Sequence, residues 1–231
     1  MISSMDNSKI KTLLKLKQSK YRKQEQEFIV EGTHLVSEAR LANVLIEAYS
    51  IEEKDGYIQV SEAVMKKLCN TDTVVKELGL CRMLSKSNLS DKILILDGVQ
   101  DPGNMGSLMR SACAFGFDTI FIGTGSVDLY NDKVIRSSQG AIFKLNFLFG
   151  NVCDFVKTLN HKVYGTNVVN GIPLKEVRKE EKIAIILGNE GNGISKEVNA
   201  LGLDNIFIPM RNTESLNVAV AGSIILYEFG I

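Results

Sequence analysis

The chain has 231 residues, 45% hydrophobic and 23% charged, which is the composition of a globular protein with a core of its own and the length of one small domain plus one of medium size. No apolar run approaches the roughly 18 to 20 residues of a membrane span, and MISSMDNSKIKTLL is too polar for a signal peptide, so a cytoplasmic protein with no membrane partner is expected. The formal net charge is zero, but residues 9 to 23, KIKTLLKLKQSKYRK, hold seven positive residues and no acid.

Within that run Ile10, Leu13, Leu14 and Leu16 recur at helical spacing and predict an amphipathic helix from residue 9 to about 20. Its basic side chains, Lys9, Lys11, Lys15, Lys17, Lys20, Arg22 and Lys23, suit either a solvated helix face or a surface that tracks phosphates. Charge alone leaves both open. EFIVEG (27–32) reads as a strand closing on Gly32, and THLVSEARLA as a helix. A strand near VLIEAYSI, a helix over SEAVMKKLC and a strand near CRMLS complete an alternating α/β unit, with the polar SKSNLSDK (85–92) as its linker.

From Ile93 the alternation restarts with the stronger strands KILILD, DTIFIG, HKVYGT, KIAIILG and DNIFIP. Each is followed by Gly, Asn or Pro and then by a helical stretch, which predicts a mostly parallel sheet covered on both faces. In such sheets ligands gather at the carboxyl ends of strands. Three exits stand out there: LDGVQDPGNMGSLMRSACAFG (96–116), LGNEGNGIS (187–195) and IPMRNTESLNVAVAGSIILYE (208–228). Glycines after a strand let a ligand lie against the backbone. Thr213 or Ser215 is placed to cap the last helix, whose small residues on one side permit close approach to the sheet or to a second subunit.

Other chemistries are poorly supplied. Cys69, Cys81, Cys113 and Cys153 are too scattered for a metal site or disulfide framework and read as free thiols; His34 and His161 are too few for a histidine-based zinc site or triad, so no metal is expected. No GxxxxGK[ST] phosphate loop is present, and IGTGS (122–126) lacks dinucleotide-fingerprint spacing.

In order and spacing the three exits closely resemble the motifs of the SpoU (TrmH-like) RNA 2′-O-ribose methyltransferases of the SPOUT class, and VIRSSQGAIF (134–143) resembles the family's segment between the first two. The likeness is strong over about 92–230. KQEQEFIVEGTHLVSEA more loosely resembles the opening of the family's accessory domain, a small α/β RNA-binding fold also seen among ribosomal proteins. The resemblance thus implies an RNA substrate-binding domain over 1–90 and, over 91–231, an α/β methyltransferase domain with a mostly parallel sheet and a C-terminal deep trefoil knot. It also implies a homodimer and S-adenosylmethionine as cofactor.

Carried onto matching positions, the resemblance implies cofactor contacts at Thr166, Gly188, Asn189, Ile208, Met210, Ser215 and Leu216, and a catalytic set of Asn104, Arg110, Glu190, Ser215 and Asn217. RNA contacts are expected from the basic run and from Arg136. A guanidinium, with a pKa above about 12, is a poor base, so Arg110 is read as holding the ribose-phosphate and stabilising a developing alkoxide. Glu190 either orients Arg110 or Asn104, or caps the segment that follows it. Two departures bear on the cofactor contacts around 210–214: MRNTE is about one residue tighter than the family form, and Asn212 stands where Gly is common, although Asn tolerates left-handed backbone angles. FKLNF also lacks a Pro often seen there. The implied reaction is 2′-O-methylation of structured RNA, ribosomal rather than transfer RNA because of the accessory domain. A transfer-RNA enzyme and a non-catalytic RNA-binding protein of the same fold are the alternatives.

Overall fold

The computed structural model describes residues 1–71, 73–84, 89–168 and 170–230. The chain forms two compact units, one made of 1–85 with 128–143 and the other of 86–127 with 144–231. The segment 128–143 therefore leaves the second unit's chain run and packs with the first. Of the expected linker 85–92, residues 85–88 lie outside those described.

In the first unit, the expected single helix over 9–20 is two helices, α1 (Ser8–Lys15) and α2 (Ser19–Glu25). Ile10, Leu13 and Leu16 are buried as their spacing predicts, but the chain turns after Leu16 and is extended at Gln18. Arg22 explains the corner. Its guanidinium donates to the carbonyls of Leu16 and Lys17, both at 3.0 Å, and to the Asp128 carboxylate at 2.6 Å, so it satisfies the acceptors that the end of α1 leaves free. Arg22 is 7% exposed, and its expected role as an RNA contact is corrected: a buried, paired guanidinium has no face left for a phosphate.

The helices precede a sheet of β1 (Glu27–Glu31), β2 (Leu45–Ser50), β3 (Ile58–Gln59) and β4 (Glu77–Arg82), in the order β1-β4-β2-β3. Pairing is antiparallel except between β2 and β3. α3 (Thr33–Leu41) and α4 (Glu62–Leu68) complete the unit's first stretch, and Lys17 Nζ donates to the Lys67 and Cys69 carbonyls at the end of α4, both at 2.9 Å. Cys69 and Cys81 are buried free thiols, the latter pushed up to about 12 by burial, while Cys113 and Cys153 are only half-buried.

The second unit begins with β5 (Lys92–Asp97), α5 (Pro102–Ala114) and β6 (Thr119–Gly123). The chain then contributes α6 (Asp132–Ser138) to the first unit and returns through β7 (Asn146–Gly150), α7 (Val152–Thr158), β8 (Lys162–Thr166), β9 (Ile172–Pro173), β10 (Ile183–Gly188), α8 (Lys196–Asn199), β11 (Asp204–Phe207) and α9 (Val218–Phe229). Seven strands form one sheet in the order β7-β6-β5-β10-β8-β11-β9, every pairing parallel. All residues of β10 and all but the first of β5 are buried, as central parallel strands covered on both faces should be.

This order places a switch point between β5 and β10. From β5 the chain builds outward through β6 to β7, and then crosses to build β8 and β11 on the far side of β10. At such a point the strand exits diverge and leave a crevice. α9 returns over it and packs on α5: a Cβ at Gly222 would stand 2.4 Å from Leu108 Cδ2 and 2.6 Å from Leu187 Cδ1. The Ser111 and Ser223 hydroxyls, 2.7 Å apart, lock the same contact. Among the described residues no helix is long and apolar enough to cross a membrane, and no three His, Cys, Asp or Glu side chains gather as a metal site would need.

Candidate active site

Each of the three exits is held in shape by its own polar residues. At the first, Asp101 caps α5 through the Asn104 N–H, at 2.8 Å, and Pro102 follows in the first helical position. At the second, Asn189 Oδ1 accepts from the N–H groups of Gly191 (3.0 Å) and Asn192 (3.1 Å) and closes a turn, while the Asn189 and Gly193 backbones exchange bonds of 2.8 and 2.9 Å. The third contains Asn212 at φ 59°, so asparagine does adopt the left-handed conformation there. The cap of α9 is neither Thr213 nor Ser215. Asn217 Oδ1 accepts from Ala219 N–H at 2.9 Å and Val220 N–H at 3.3 Å, and the Thr213 hydroxyl instead donates to the Ser215 carbonyl.

Side chains then join the exits to one another. Glu190 Oε1 accepts from Asp101 N–H and Asn104 Nδ2, each at 3.0 Å, and Oε2 accepts from Gln100 N–H at 3.2 Å. Asn104 Oδ1 accepts from Asn217 Nδ2 at 3.0 Å. Because the Asn217 oxygen is committed to the cap, its amide can only donate to Asn104, and Asn104 in turn can only donate to Glu190. The result is a directed chain, Asn217 to Asn104 to Glu190, across residues up to 113 positions apart. Asn189 Nδ2 donates to the Gly98 carbonyl at 2.9 Å, and the Asp97 carboxylate accepts from Ser195 N–H at 2.7 Å. The Glu190 carboxylate also accepts from its own backbone N–H, while α8 is capped by Ser195.

The electrostatics agree with that bonding. Burial acts to raise the Glu190 carboxyl, but hydrogen bonds from the Asn104 side chain and the Asp101 and Gln100 N–H groups outweigh it and hold Glu190 below its ordinary 4.5. A carboxylate with a depressed folded value contributes stability that is complete above its unfolded value and is lost as pH falls through the folded one. Wild-type thermal stability should therefore hold above about pH 4.5 and fall below it, and Glu190→Gln should flatten that acid limb, as melting curves between about pH 6 and about pH 3 will test. An identical limb in both proteins would remove Glu190 from the titrating set.

Beside this chain lies a cleft of 420 Å³ at the ends of β8, β10 and β11, within the size range of small-molecule sites. Thr166, Gly188, Asn189, Ile208, Met210, Ser215 and Leu216 all line it, together with Glu190. Its remaining wall includes Val168, Ile194, Asn199, Val218, Ala221 and Ile225, none of which the motifs marked as a cofactor contact. Asn104, Asn217 and Arg110 do not line it. Arg110 is exposed on α5 and has no hydrogen-bond or ion-pair partner among the described residues, so the structure does not join it to Glu190 or Asn104.

Of the expected RNA contacts, Lys9 pairs with Glu47, Lys17 and Arg22 bind backbone carbonyls, and Arg136 pairs with Asp132 at 2.6 Å. Lys11 holds only the exposed Asp6, at 2.8 Å. Lys15, Lys20 and Lys23 are exposed with no carboxylate partner among the described residues.

Comparison with known proteins agrees with the fold. Residues 91–227 match the model of the SpoU rRNA Methylase family, and residues 7–76 match an MRM3-like substrate binding domain. The chain is 34% identical to the 23S rRNA (guanosine(2553)-2′-O)-methyltransferase RlmP of Bacillus subtilis, over 98% of each chain. A solved TrmH-family structure from Porphyromonas gingivalis superposes with a TM-score of 0.86 at 31% identity, covering 98% of this chain and 99% of that one. An AdoMet-bound rRNA methyltransferase from Sinorhizobium meliloti has the same fold, with a TM-score of 0.87 at 23% identity over 99% and 96% of the two chains. With the family model spanning more than half its length and a relative matched end to end, this chain belongs to the SpoU rRNA methylase family.

Proposed function

We propose that the protein transfers a methyl group from S-adenosylmethionine to a ribose 2′-OH of structured RNA, with ribosomal RNA as its substrate. The observation that carries this reading is the cleft itself: a crevice at the ends of β8, β10 and β11 whose one charged lining residue among the described residues is Glu190, bordered by the directed chain Asn217–Asn104–Glu190 that binds three strand exits into one unit.

The lining fits an adenosine-bearing cofactor. Ile208, Met210 and Leu216 offer apolar surface, and the close backbone of 188–193 offers N–H and C=O groups of the kind that read a base edge. When bound, S-adenosylmethionine supplies a methyl group on a sulfonium, open to in-line attack. Glu190 accepts three hydrogen bonds from the 100–104 loop, which makes it a brace for the first exit rather than a proton acceptor. Asn104 and Asn217 keep that exit in register with α9. Arg110, with no partner among the described residues, holds the ribose-phosphate and offsets negative charge on the attacking 2′-oxygen, the proton leaving to water or to an RNA phosphate. Alignment of the reactants then supplies much of the rate.

The same reading extends to three coarser features. A trefoil knot at the C-terminal end is supported by α9 returning onto α5 and Leu187; full extension in a single-molecule pull should fall short of the contour length by the residues held in the knot. A homodimer is supported by Val220, Ile224 and Tyr227, which expose 49%, 40% and 69% on one face of α9; sedimentation should give twice the 25.5 kDa chain mass. The first unit serves as the RNA-binding module, through Lys11, Lys15, Lys20 and Lys23.

The test is transfer of labelled methyl from S-adenosylmethionine to total RNA that lacks the modification, followed by alkaline hydrolysis and mapping. Alkali-resistant label in ribosomal RNA is expected, because a 2′-O-methyl blocks cleavage at that site. Label confined to transfer RNA would move the substrate to that class. No transfer despite measurable cofactor binding would leave an RNA-binding protein of this fold.

A further inference from the structure

The corner between α1 and α2 carries an aromatic side chain that neither the fold nor the proposed chemistry uses. Tyr21 is half-buried on α2, its hydroxyl has no partner among the described residues, and two ammonium groups lie near its ring: Lys15 Nζ at 5.9 Å and Lys20 Nζ at 5.8 Å from the centroid. Lys15 is the last residue of α1 and Lys20 the second of α2, so the corner itself brings them together. Lys23 follows three residues later on the same short helix.

We propose that Tyr21 is a stacking platform for an unpaired nucleotide of the RNA substrate, with Lys15, Lys20 and Lys23 gripping the phosphates on either side. This rests on the reading of the protein as an RNA enzyme and adds to it a site and a class of ligand. Of the eight basic residues named above, several are spent within the fold: Arg22 on Leu16, Lys17 and Asp128, Lys17 on Lys67 and Cys69, and Lys9 on Glu47. The two that meet at Tyr21, Lys15 and Lys20, have no carboxylate partner among the described residues, nor does Lys23 further along α2. Two cations held close to one ring without an anion repel one another, and the ring face is a weak acceptor for them at an exposed site.

A single-stranded nucleotide satisfies both parts. Its base stacks on the ring more strongly than an exposed ammonium does, and the displaced lysines reach the flanking phosphates. Arg22, pinned next to Tyr21 by three acceptors, keeps the corner fixed before RNA arrives, so little ordering is required on binding. A regular duplex is excluded from the ring because its bases are already stacked and face inward.

The chain contains no tryptophan, which makes Tyr21→Trp a single reporter in the full-length protein. Its emission should be quenched by a single-stranded RNA oligonucleotide of about ten nucleotides, and not by a duplex of equal length, with binding followed separately by anisotropy of the labelled RNA. Tyr21→Leu should weaken single-strand affinity by about 5- to 100-fold and leave duplex affinity within about twofold, whereas Tyr21→Phe should keep both. Lys20→Ala should weaken both and lower the salt slope by about one. Unquenched emission from protein that anisotropy shows to be bound would overturn the proposal, as would a Tyr21→Leu protein of wild-type melting temperature and wild-type single-strand affinity. Methyl transfer by the wild type in the same preparation separates the two levels: if it persists, only the platform fails. If the wild type neither binds nor methylates RNA, the RNA reading and the platform fall together.

Discussion

Arg110→Ala should lower kcat/KM for RNA methylation by about 10²- to 10³-fold while leaving S-adenosylmethionine affinity within about twofold. The separation follows from position. Arg110 stands six residues beyond Asn104 on α5, about 9 Å further along the helix axis, and is absent from the wall of the cleft. It is an exposed guanidinium with no acid partner among the described residues, and removing it should disturb neither the cleft nor the core. The effect on rate must then come from substrate. Arg110→Lys recovers little if the planar fork is what grips the ribose-phosphate, since an ammonium is a point charge. If Arg110 were instead the proton acceptor, the lysine variant would gain rate steeply as pH approached about 10, where an amine begins to deprotonate. Retention of more than about a tenth of wild-type activity by Arg110→Ala would place the alkoxide's stabilisation elsewhere.

The second unit was largely legible because its strands are buried on both faces. KILIL and KIAII are continuous apolar runs, and their abrupt ends at Asp97 and Gly188 mark the exits that meet at the switch point. β7 escaped notice: NFLFG is a short edge strand with only Phe147 buried, so its pattern carries little core signal. β4 lies earlier than the CRMLS expected for it because Gly79 interrupts its apolar run. A Cβ there would stand 2.8 Å from Leu45 Cδ1 and 2.9 Å from Val30 Cγ2, so glycine is required by packing and looks like a break in sequence. The helix over 9–20 divides for a reason no local pattern holds, since Asp128, more than a hundred positions away, anchors the arginine at the corner.

Seven of the cleft's residues could be named through the family resemblance, but the bonding between exits could not. Asn104 and Asn217 are each ordinary helix-start residues by themselves, and only the fold reveals that one amide donates to the other. Capping by Asn217 rather than Ser215 was undecidable from propensity, because both are favoured cap residues and the choice rests on where the chain leaves its turn. The connection has a measurable consequence. Asn104→Ala and Asn217→Ala should each lower kcat/KM by about 10- to 100-fold, and the double variant should lose far less than the product of the two, because either change already breaks the chain. Fully multiplicative losses would mean that the two amides act independently.

Gly188→Ala should abolish cofactor binding and lower the melting temperature as well. A Cβ at this position would stand 2.1 Å from the Gly193 carbonyl carbon, 2.2 Å from the Ile194 nitrogen and 2.4 Å from the Gly193 oxygen. All three are backbone atoms, so no rotamer relieves the clash. The strand cannot retreat, because β10 is central and bonded to β5 on one side and β8 on the other. Nor can the return limb swing freely, since Ser195 is tied to the buried Asp97 carboxylate and Gly193 to Asn189. Whatever yields, the 189–193 turn must move, and that turn is one wall of the cleft. Overpacking of this kind costs about 1 to 3 kcal/mol or more, which for a chain of this size is a fall of several degrees. The neighbouring glycines supply a graded control: at Gly191 a Cβ meets only Asn189 Oδ1 at an ordinary 3.6 Å, and at Gly193 it meets nothing but must accept φ 67°. Alanine should therefore be tolerated at 191, cost a modest amount at 193 and be ruinous at 188, as titration calorimetry with S-adenosylmethionine and thermal melts of the three variants will measure. Cofactor affinity within about tenfold of wild type in Gly188→Ala would mean that the turn after β10 is not the wall against which the cofactor lies.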